Sequence, residues 1–327
     1  MKKIAYIAAA VAAAMCVVLF VLFSQGARNS ASILVNRSQY NVGSVVKELH
    51  SLGAINSPRF VAICVKIGLR MTGRTLTPGW YHVANGESQF DVICALVLGK
   101  REPLVKVTIP EGFTMFQVAS RLQKRAEIDS GKFIRWATSD AVRMKYNIAS
   151  PTMDGFLMPA TYHVIRAEGS EVVGTMMADE AALVWKKLSG RFRGSRDSVI
   201  TLASIVQKEA VREDEFSVIA GVYANRLSRS MRLEADPTLQ YGRDLTITRS
   251  DLRDATNTYN TYQHSGLPPG PICNPGKRSI AAALAPARHD YIFFVAKGDS
   301  TNGHRFARNY IEHKANVALY RAERSRH

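Results

Sequence analysis

An uncharged apolar segment near the start of the chain constrains its organisation more than any other feature. Residues 4–23, IAYIAAAVAAAMCVVLFVLF, follow Met1 and two lysines and carry no charged side chain. At about 1.5 Å per helical residue, such a segment crosses the roughly 30 Å hydrocarbon core of a bilayer. A signal peptide usually has a shorter apolar region, about 7–15 residues, before a small-x-small cleavage site, and SQGARNS at 24–30 fits such a site poorly. The segment therefore predicts one uncleaved transmembrane helix.

Charges beside this segment predict which way it crosses. Lys2 and Lys3 precede it, and positive residues favour the cytoplasmic side of a membrane. Arg28 and Arg37 follow it and weaken the contrast. In a bacterium, the rest of the chain would then lie outside the cytoplasm, in the periplasm or on the outer surface.

The net charge indicates an anionic partner. Forty-three Lys and Arg against 27 Asp and Glu leave a formal charge of +16, which suits nucleic acid, phospholipid head groups or a polymer that carries carboxylates. An extracytoplasmic location argues against nucleic acid. The four cysteines, at 16, 64, 94 and 273, form no CxxC pair, which argues against a zinc site. The sequence also shows no phosphate-loop spacing and no metal motif, so we expect no metal and no cofactor. The sequence does not decide whether Cys64 and Cys94 form a disulfide.

Hydrophobic patterning after the anchor and linker (1–32) predicts an α+β fold in two domains. The first domain, 33–103, shows short strand patterns and amphipathic helix patterns. The second, 104–327, begins with a strand at 104–109 and has a long helical span, 171–228, broken at 188–198. The first-domain segments are strands near 32–39 and 77–83 and helices near 41–55, 57–70 and 87–100. The other second-domain segments are helices at 114–126 and 279–287, a strand at 291–298 and a loop at 257–276.

One acid lies on the apolar side of the long helical span. If SVITLASIVQKEAVRED (198–214) is one helix, Leu202, Ile205 and Val206 share a face. Glu209, seven residues after Leu202, returns to within about 20° of it. A carboxyl desolvated by apolar neighbours has a raised pKa. It can then donate a proton to a leaving oxygen, as cleavage of a glycosidic bond requires.

The same helix pattern allows a structural interpretation. Glu209 could pair with an arginine, and Arg226, Arg229 and Arg232 are candidates. Gln207 and Lys208 are expected to face solvent, away from the apolar side. Periodicity alone leaves both roles of Glu209 open.

A stiff polar loop adds a candidate sugar-binding surface. The sequence NTYNTYQHSGLPPGPICNPG (257–276) combines Tyr259, Asn260 and Tyr262 with prolines and glycines that restrict the backbone. Aromatic faces can stack on a sugar ring and amides can bind its hydroxyls. A rigid crossover without a ligand explains the same composition. Asp236 has a similar ambiguity, since it could hold a substrate hydroxyl or cap a turn before Pro237.

Seven sequence blocks in register resemble the MltG/YceG-like family of endolytic murein transglycosylases. The resemblance covers residues 31 to 322. It implies a single-pass inner-membrane protein with a LysM-like domain at 33–103 and a catalytic domain at 104–327. It also implies cleavage of the MurNAc–GlcNAc β-1,4 bond, with the MurNAc 6-hydroxyl closing on C1 to leave 1,6-anhydroMurNAc ends. The blocks are TIPEGFT, DGFLMPATY, LASIVQKEA, VYANRL, MRLEADPTLQYG, YNTYQHSGLPPGPICNPG and YIFFVAKGD…GHRFARN.

The resemblance places the catalytic acid at Glu209 and implies that the substrate is a peptidoglycan glycan strand. It also implies that the protein ends the elongation of these strands and that peptidoglycan synthases are possible partners. Three positions differ from the family pattern. Gln207 stands where the family often has an acid, Asp154 where it usually has Glu, and Ala160 where it has Asp. The alternatives are a non-catalytic membrane-anchored peptidoglycan-binding protein and a hydrolase on the same scaffold. The predicted substrate contacts are Asn225, Asp236, Tyr241, Tyr259, Asn260 and Tyr262.

Overall fold

The chain forms two compact units that divide between Leu104 and Val105. The computed structural model describes residues 14–35, 41–100, 104–243 and 247–325. Each unit has its own hydrophobic core. Short two-stranded sheets alternate with helices in both units, which confirms the predicted α+β class.

The predicted transmembrane segment is only partly described. Residues 4–13 lie outside the described ranges, and residues 14–24 are helical. Within the parts of the chain that the structure describes, no helix has both the length and the apolar character needed to span a membrane.

The first unit is a strand–helix–helix–strand arrangement followed by one further helix. Its two strands pair antiparallel, with Ile33 opposite Tyr81. Pro58 occupies the first turn of the second helix, as predicted, because a proline there gives up no helical hydrogen bond. Cys64 and Cys94 are free thiols. The elements are β1 (Ala31–Val35), α1 (Val42–Ser51), α2 (Pro58–Thr72), β2 (Gly79–Val83) and α3 (Gln89–Leu98).

The second unit packs helices around one large core, with two strand pairs. The pairs are β3 with β4 and β5 with β6. The helices are α4 (Met115–Ala126), α5 (Ser130–Ala137), α6 (Asp140–Lys145), α7 (Ser170–Ser189), α8 (Arg196–Glu209), α9 (Phe216–Ser228), α10 (Asp236–Leu239), α11 (Lys277–Leu284) and α12 (Tyr310–Arg324). The strands are β3 (Leu104–Thr108), β4 (Thr161–Ile165), β5 (Phe293–Ala296) and β6 (His304–Ala307).

The long helical span predicted for 171–228 is three helices rather than two. The predicted break after Ser189 is confirmed. A second break follows Glu209, where Ala210 adopts an extended backbone (φ −81°, ψ 128°). The continuation of that helix to residue 214 was therefore wrong. Helices α5, α6, α10 and α12 were not predicted. Of these, α5, α6 and α10 are short, and α5 is held by tertiary packing such as the contact of Trp136 with Gly174.

Helix α8 is the element that positions the site. Every residue from Val199 to Val206 is buried, so the helix runs through the core and packs against α9, α10 and α11. Its N-terminus is capped by Ser195, whose side chain accepts a hydrogen bond from the Ser198 amide. Because α8 ends at Glu209, its last turn leaves the core and presents one acid at the edge of the buried region.

Candidate active site

Glu209 lies where the buried helix α8 reaches the surface. Its residue surface is half-buried, whereas the side chain of Lys208 is exposed and Val206 is fully buried. The helical periodicity predicted that Glu209 would be sheltered from water. The residue is in fact partly shielded and partly exposed.

A tyrosine, and not an arginine, holds the Glu209 carboxyl. Tyr223 on α9 is 1% exposed, and its hydroxyl donates to Glu209 Oε1 at 3.1 Å. Among the described residues, no ion pair includes Glu209. Arg226, one of the predicted partners, instead bonds the carbonyls of Ile292 and Leu233. The structural ion pair that the sequence left open is not formed.

The electrostatic surroundings favour a protonated Glu209. Burial raises the pKa of its carboxyl to about 7, the Tyr223 hydrogen bond lowers it, and the negative charge of Asp236 raises it further. Burial acts in this direction because a low-dielectric surrounding disfavours the charged form. A carboxyl with a pKa near neutral pH can both donate and accept a proton under physiological conditions.

Two predicted contact residues lie beside this carboxyl. Asp236 begins the short helix α10 and is exposed. The Tyr262 hydroxyl donates to Asp236 Oδ1 at 2.6 Å, which ties the polar loop to α10.

Tyr241 and Tyr259 form an aromatic pair supported by a buried acid. Their ring centroids lie 4.6 Å apart with an interplanar angle of 37°. The Tyr241 hydroxyl donates to Asp154 Oδ2 at 2.7 Å. Asp154 is fully buried, and its Oδ1 accepts from the Met115 amide at 2.6 Å. Burial raises the pKa of Asp154 to about 7, although the hydrogen bonds that it accepts lower it.

An open groove of about 480 Å³ lies beside these residues. Tyr241 is part of its wall, and Lys208 and Pro237, the chain neighbours of Glu209 and Asp236, also line it. This volume falls in the range of small-molecule and cofactor sites, about 300–1,000 Å³. The remaining lining residues include Thr114, Phe116, Gln117, Gln240, Arg243 and Ile272.

Asn225 and Asn260, which were predicted to contact substrate, instead form hydrogen bonds with the protein backbone through their side-chain amides. Asn225 donates to the carbonyls of His289 and Tyr291 at 2.7 and 3.0 Å. Asn260 is fully buried, donates to the carbonyl of Asp254 at 2.8 Å, and accepts from the amide of Tyr262 at 3.0 Å. The prediction that Asn260 meets substrate is therefore corrected, because its amide holds the loop from inside.

Gln207 also differs from its prediction. It was expected to face solvent, yet its Oε1 accepts from the Gly276 amide at 2.9 Å and from Ser279 Oγ at 2.7 Å. The N-terminus of α11 covers this side of α8, and the period of one helix cannot show which neighbour will cover it. Gln207 thus joins the polar loop to α8.

Asn274 is a positioning residue that sequence reasoning did not single out. It is fully buried, and its Oδ1 accepts from the amides of Gly155 and Leu157 at 2.8 and 3.0 Å. Its Nδ2 donates to the Phe113 carbonyl at 2.9 Å and to Asp154 Oδ1 at 3.2 Å. Its place in the stiff CNPG turn was the available signal. Asn274 joins three separate segments under the Tyr241–Tyr259 pair.

Across residues 14–35, 41–100, 104–243 and 247–325, no group of three or more His, Cys, Asp or Glu side chains could hold a metal ion. The groups that the site does offer are the Glu209 carboxyl, which can transfer a proton, and the aromatic and polar side chains around it.

Comparisons with known proteins agree on one family. The model of the YceG-like family matches residues 35–319. An endolytic murein transglycosylase of Bacillus subtilis is 31% identical over 244 residues, which covers 68% of this chain and 67% of that protein. An endolytic murein transglycosylase of Streptococcus pneumoniae is 27% identical over 282 residues, 74% of this chain and half of that protein.

A solved structure shows the same fold. The crystal structure of a yceG-like protein from Listeria monocytogenes matches with a TM-score of 0.59 and 25% identity, covering 88% of this chain and 99% of that one. With a family match over most of its length and a solved relative of the same fold, the chain belongs to the YceG-like family.

Proposed function

We infer that this protein is an endolytic peptidoglycan lytic transglycosylase that cleaves the MurNAc–GlcNAc β-1,4 bond within glycan strands. The family match and the names of the transglycosylase relatives support this reaction class. The observation that carries it is Glu209, a half-buried carboxyl at the end of α8 with a pKa of about 7 and no ionic partner among the described residues. Its chain neighbour Lys208 lines the open groove.

Glu209 acts first as an acid and then as a base. The protonated carboxyl donates its proton to the glycosidic oxygen as the bond from that oxygen to C1 of MurNAc breaks. The resulting carboxylate then takes the proton of the MurNAc 6-hydroxyl as that oxygen bonds to C1. The proton that is lost is thus recovered, the product is a 1,6-anhydro ring, and no water is consumed. One carboxyl suffices because the nucleophile belongs to the substrate, unlike the carboxylate pair of hydrolases.

The neighbours of Glu209 prepare it for this exchange. The Tyr223 hydroxyl donates to Oε1, and the second carboxyl oxygen, Oε2, would face the substrate. The charge of Asp236 adds to the rise that burial causes in the pKa of Glu209, and it would stabilise the positive charge that develops at C1 in an oxocarbenium-like transition state. Tyr241, Tyr259 and Tyr262 would contact the sugar rings along the groove.

Product analysis tests the reaction class. Incubation of the protein with purified glycan strands is expected to release fragments that end in 1,6-anhydroMurNAc, each lighter by one water than the hydrolytic product. Mass spectrometry distinguishes the outcomes. Reducing ends would instead indicate a hydrolase, and binding without any cleavage would indicate a non-catalytic wall-binding protein.

The pH dependence follows from the role of Glu209 as an acid. Because the carboxyl must be protonated in the free enzyme, kcat/KM should fall as pH rises through its pKa of about 7. Asp236→Asn removes a negative charge that raises this pKa, so the alkaline limb should move to lower pH. The control is Asp140→Asn, an exposed acid on α6 paired with Arg143. An Asp236→Asn profile identical to wild type would contradict the assigned coupling.

Membrane attachment and a wall-binding first unit complete the proposal. The uncharged run at 4–23 supports a single pass through the inner membrane with an extracytoplasmic catalytic unit. The order β1–α1–α2–β2 supports a LysM-like role for the first unit in holding peptidoglycan. The synthases that make glycan strands would be its neighbours, and cleavage there would end strand elongation.

A further inference from the structure

Helix α2 in the first unit exposes a row of large apolar side chains. Ile63, Ile67 and Met71 are 58%, 53% and 82% exposed. Spacing by four residues places all three on one side of the helix. Single exposed apolar residues are common on soluble proteins, whereas a contiguous row marks a surface that meets something apolar.

This row does not belong to the side of α2 that packs into the core. The opposite side of α2 carries Val61, Val65 and Leu69, which are 0%, 0% and 8% exposed and lie in the core of the first unit. The helix is therefore held with its core side already occupied. The exposed row needs a partner outside the unit.

The row begins where the apolar N-terminal segment enters the unit. Phe60 lies at the start of the same side of α2, and its ring centroid is 4.9 Å from that of Phe23. Phe23 ends the uncharged run and also contacts Phe90, which is 52% exposed. The helical residues before Phe23 are exposed and apolar as well: Met15, Val17, Val18, Leu19, Phe20 and Val21.

Basic side chains lie beside the row. Arg59, Lys66 and Arg70 are exposed, and residues 58–72 contain no Asp or Glu. At about 100° per residue, these three cluster on the side of α2 next to the apolar row. A helix with neighbouring apolar and basic surfaces is typical of helices that lie in the interface of a membrane with anionic lipids.

We propose that α2 lies in the membrane interface, with Ile63, Ile67 and Met71 at the boundary of the acyl chains and its three bases against anionic phospholipid head groups. This rests on the membrane attachment proposed above. Since Phe23 packs on Phe60, the first unit would be held against the bilayer at the point where the chain leaves it, rather than hanging on a free linker.

A spin label on the full-length protein tests the proposal. Cys16, Cys64 and Cys94 are changed to Ala, and Met71→Cys carries the label; Cys273 is buried and stays. The protein is reconstituted into vesicles of phosphatidylcholine with phosphatidylglycerol. The matched control is Lys47→Cys on α1, at an exposed position turned away from the buried Val45, Val46 and Leu49.

The label at 71 is expected to be more accessible to oxygen than to a water-soluble nickel complex, with the reverse at 47. Removing phosphatidylglycerol, or replacing Arg59, Lys66 and Arg70 with Gln, should reduce this difference. A label at 71 that is as aqueous as the label at 47, in protein that floats with the vesicles, would overturn the proposal and leave the membrane anchor standing. Spin–spin coupling at 71 that persists on dilution would overturn it in favour of a second copy of the chain.

Failure of the protein to float with the vesicles would refute the anchor, and the proposal with it. Product analysis on glycan strands is independent of all these outcomes. The proposed chemistry and the proposed membrane contact can therefore fail separately.

Discussion

Glu209→Gln is expected to lower the rate of anhydro-product release by about 10²–10⁴-fold, the usual contribution of a general acid–base group. Gln has nearly the shape of Glu and can still accept the Tyr223 hydrogen bond through its amide oxygen, but it can neither donate a proton to the glycosidic oxygen nor take one from the 6-hydroxyl. The rate is measured by mass spectrometry on purified glycan strands. Binding of the strands should be retained.

The control for this variant is Glu213→Gln. Glu213 lies four residues further along the chain, its side chain is 76% exposed, and it pairs with Arg278 at 2.7 Å. That substitution should leave the rate within about twofold, since surface ion pairs contribute little. The Glu209→Gln protein should unfold no more easily than wild type above pH 7, because a neutral amide avoids the cost of ionising a partly buried carboxyl. A Glu209→Gln enzyme with the wild-type rate would exclude Glu209 as the acid.

Asn274→Ala should cost about 2–6 kcal/mol of the free energy of unfolding. The substitution leaves the amides of Gly155 and Leu157 without their acceptor, and each unpaired buried donor costs about 1–3 kcal/mol. Both residues are buried, so water cannot easily replace the lost partner. Urea unfolding monitored by tryptophan fluorescence gives the value.

Asn257→Ala is the matched control for Asn274→Ala. Asn257 lies in the same loop, is half-buried, and accepts one hydrogen bond from the amide of Tyr259 at 3.0 Å. Its loss should cost about 1 kcal/mol or less, typical of one partly exposed hydrogen bond. Equal losses for the two variants would show that Asn274 does not join the segments below the Tyr241–Tyr259 pair.

Glu209 on α8 shows what helical periodicity can predict and what it cannot. Helical spacing from Leu202 predicted that Glu209 would be sheltered from water, and the residue is half-buried in the structure. The same spacing could not show that the helix stops at this residue. Ala210 leaves the helix as the chain turns towards α9, and that break opens the carboxyl to one side.

Contacts between distant segments were beyond reach of any local pattern. Tyr223, 14 residues away, holds Glu209. It lies in the VYANRL block, but nothing in the sequence singled it out as a partner of Glu209. Asp154 and Tyr241 are 87 residues apart and bond directly. Gln207 was expected in solvent because a helix viewed alone does not reveal that α11 covers it.

The sequence by itself determined properties that depend on local order: the apolar run at 4–23, the α+β pattern, and the side of α8 on which Glu209 lies. Side-chain period and backbone propensity are encoded by neighbouring residues, so the linear chain is enough to read them. Only the tertiary structure decided that Tyr223 and not an arginine holds the acid, that Asn260 is sealed inside its loop, and that Asn274 supports the aromatic pair. Those outcomes depend on which surfaces pack together, and packing brings together residues that no fixed spacing along the chain relates.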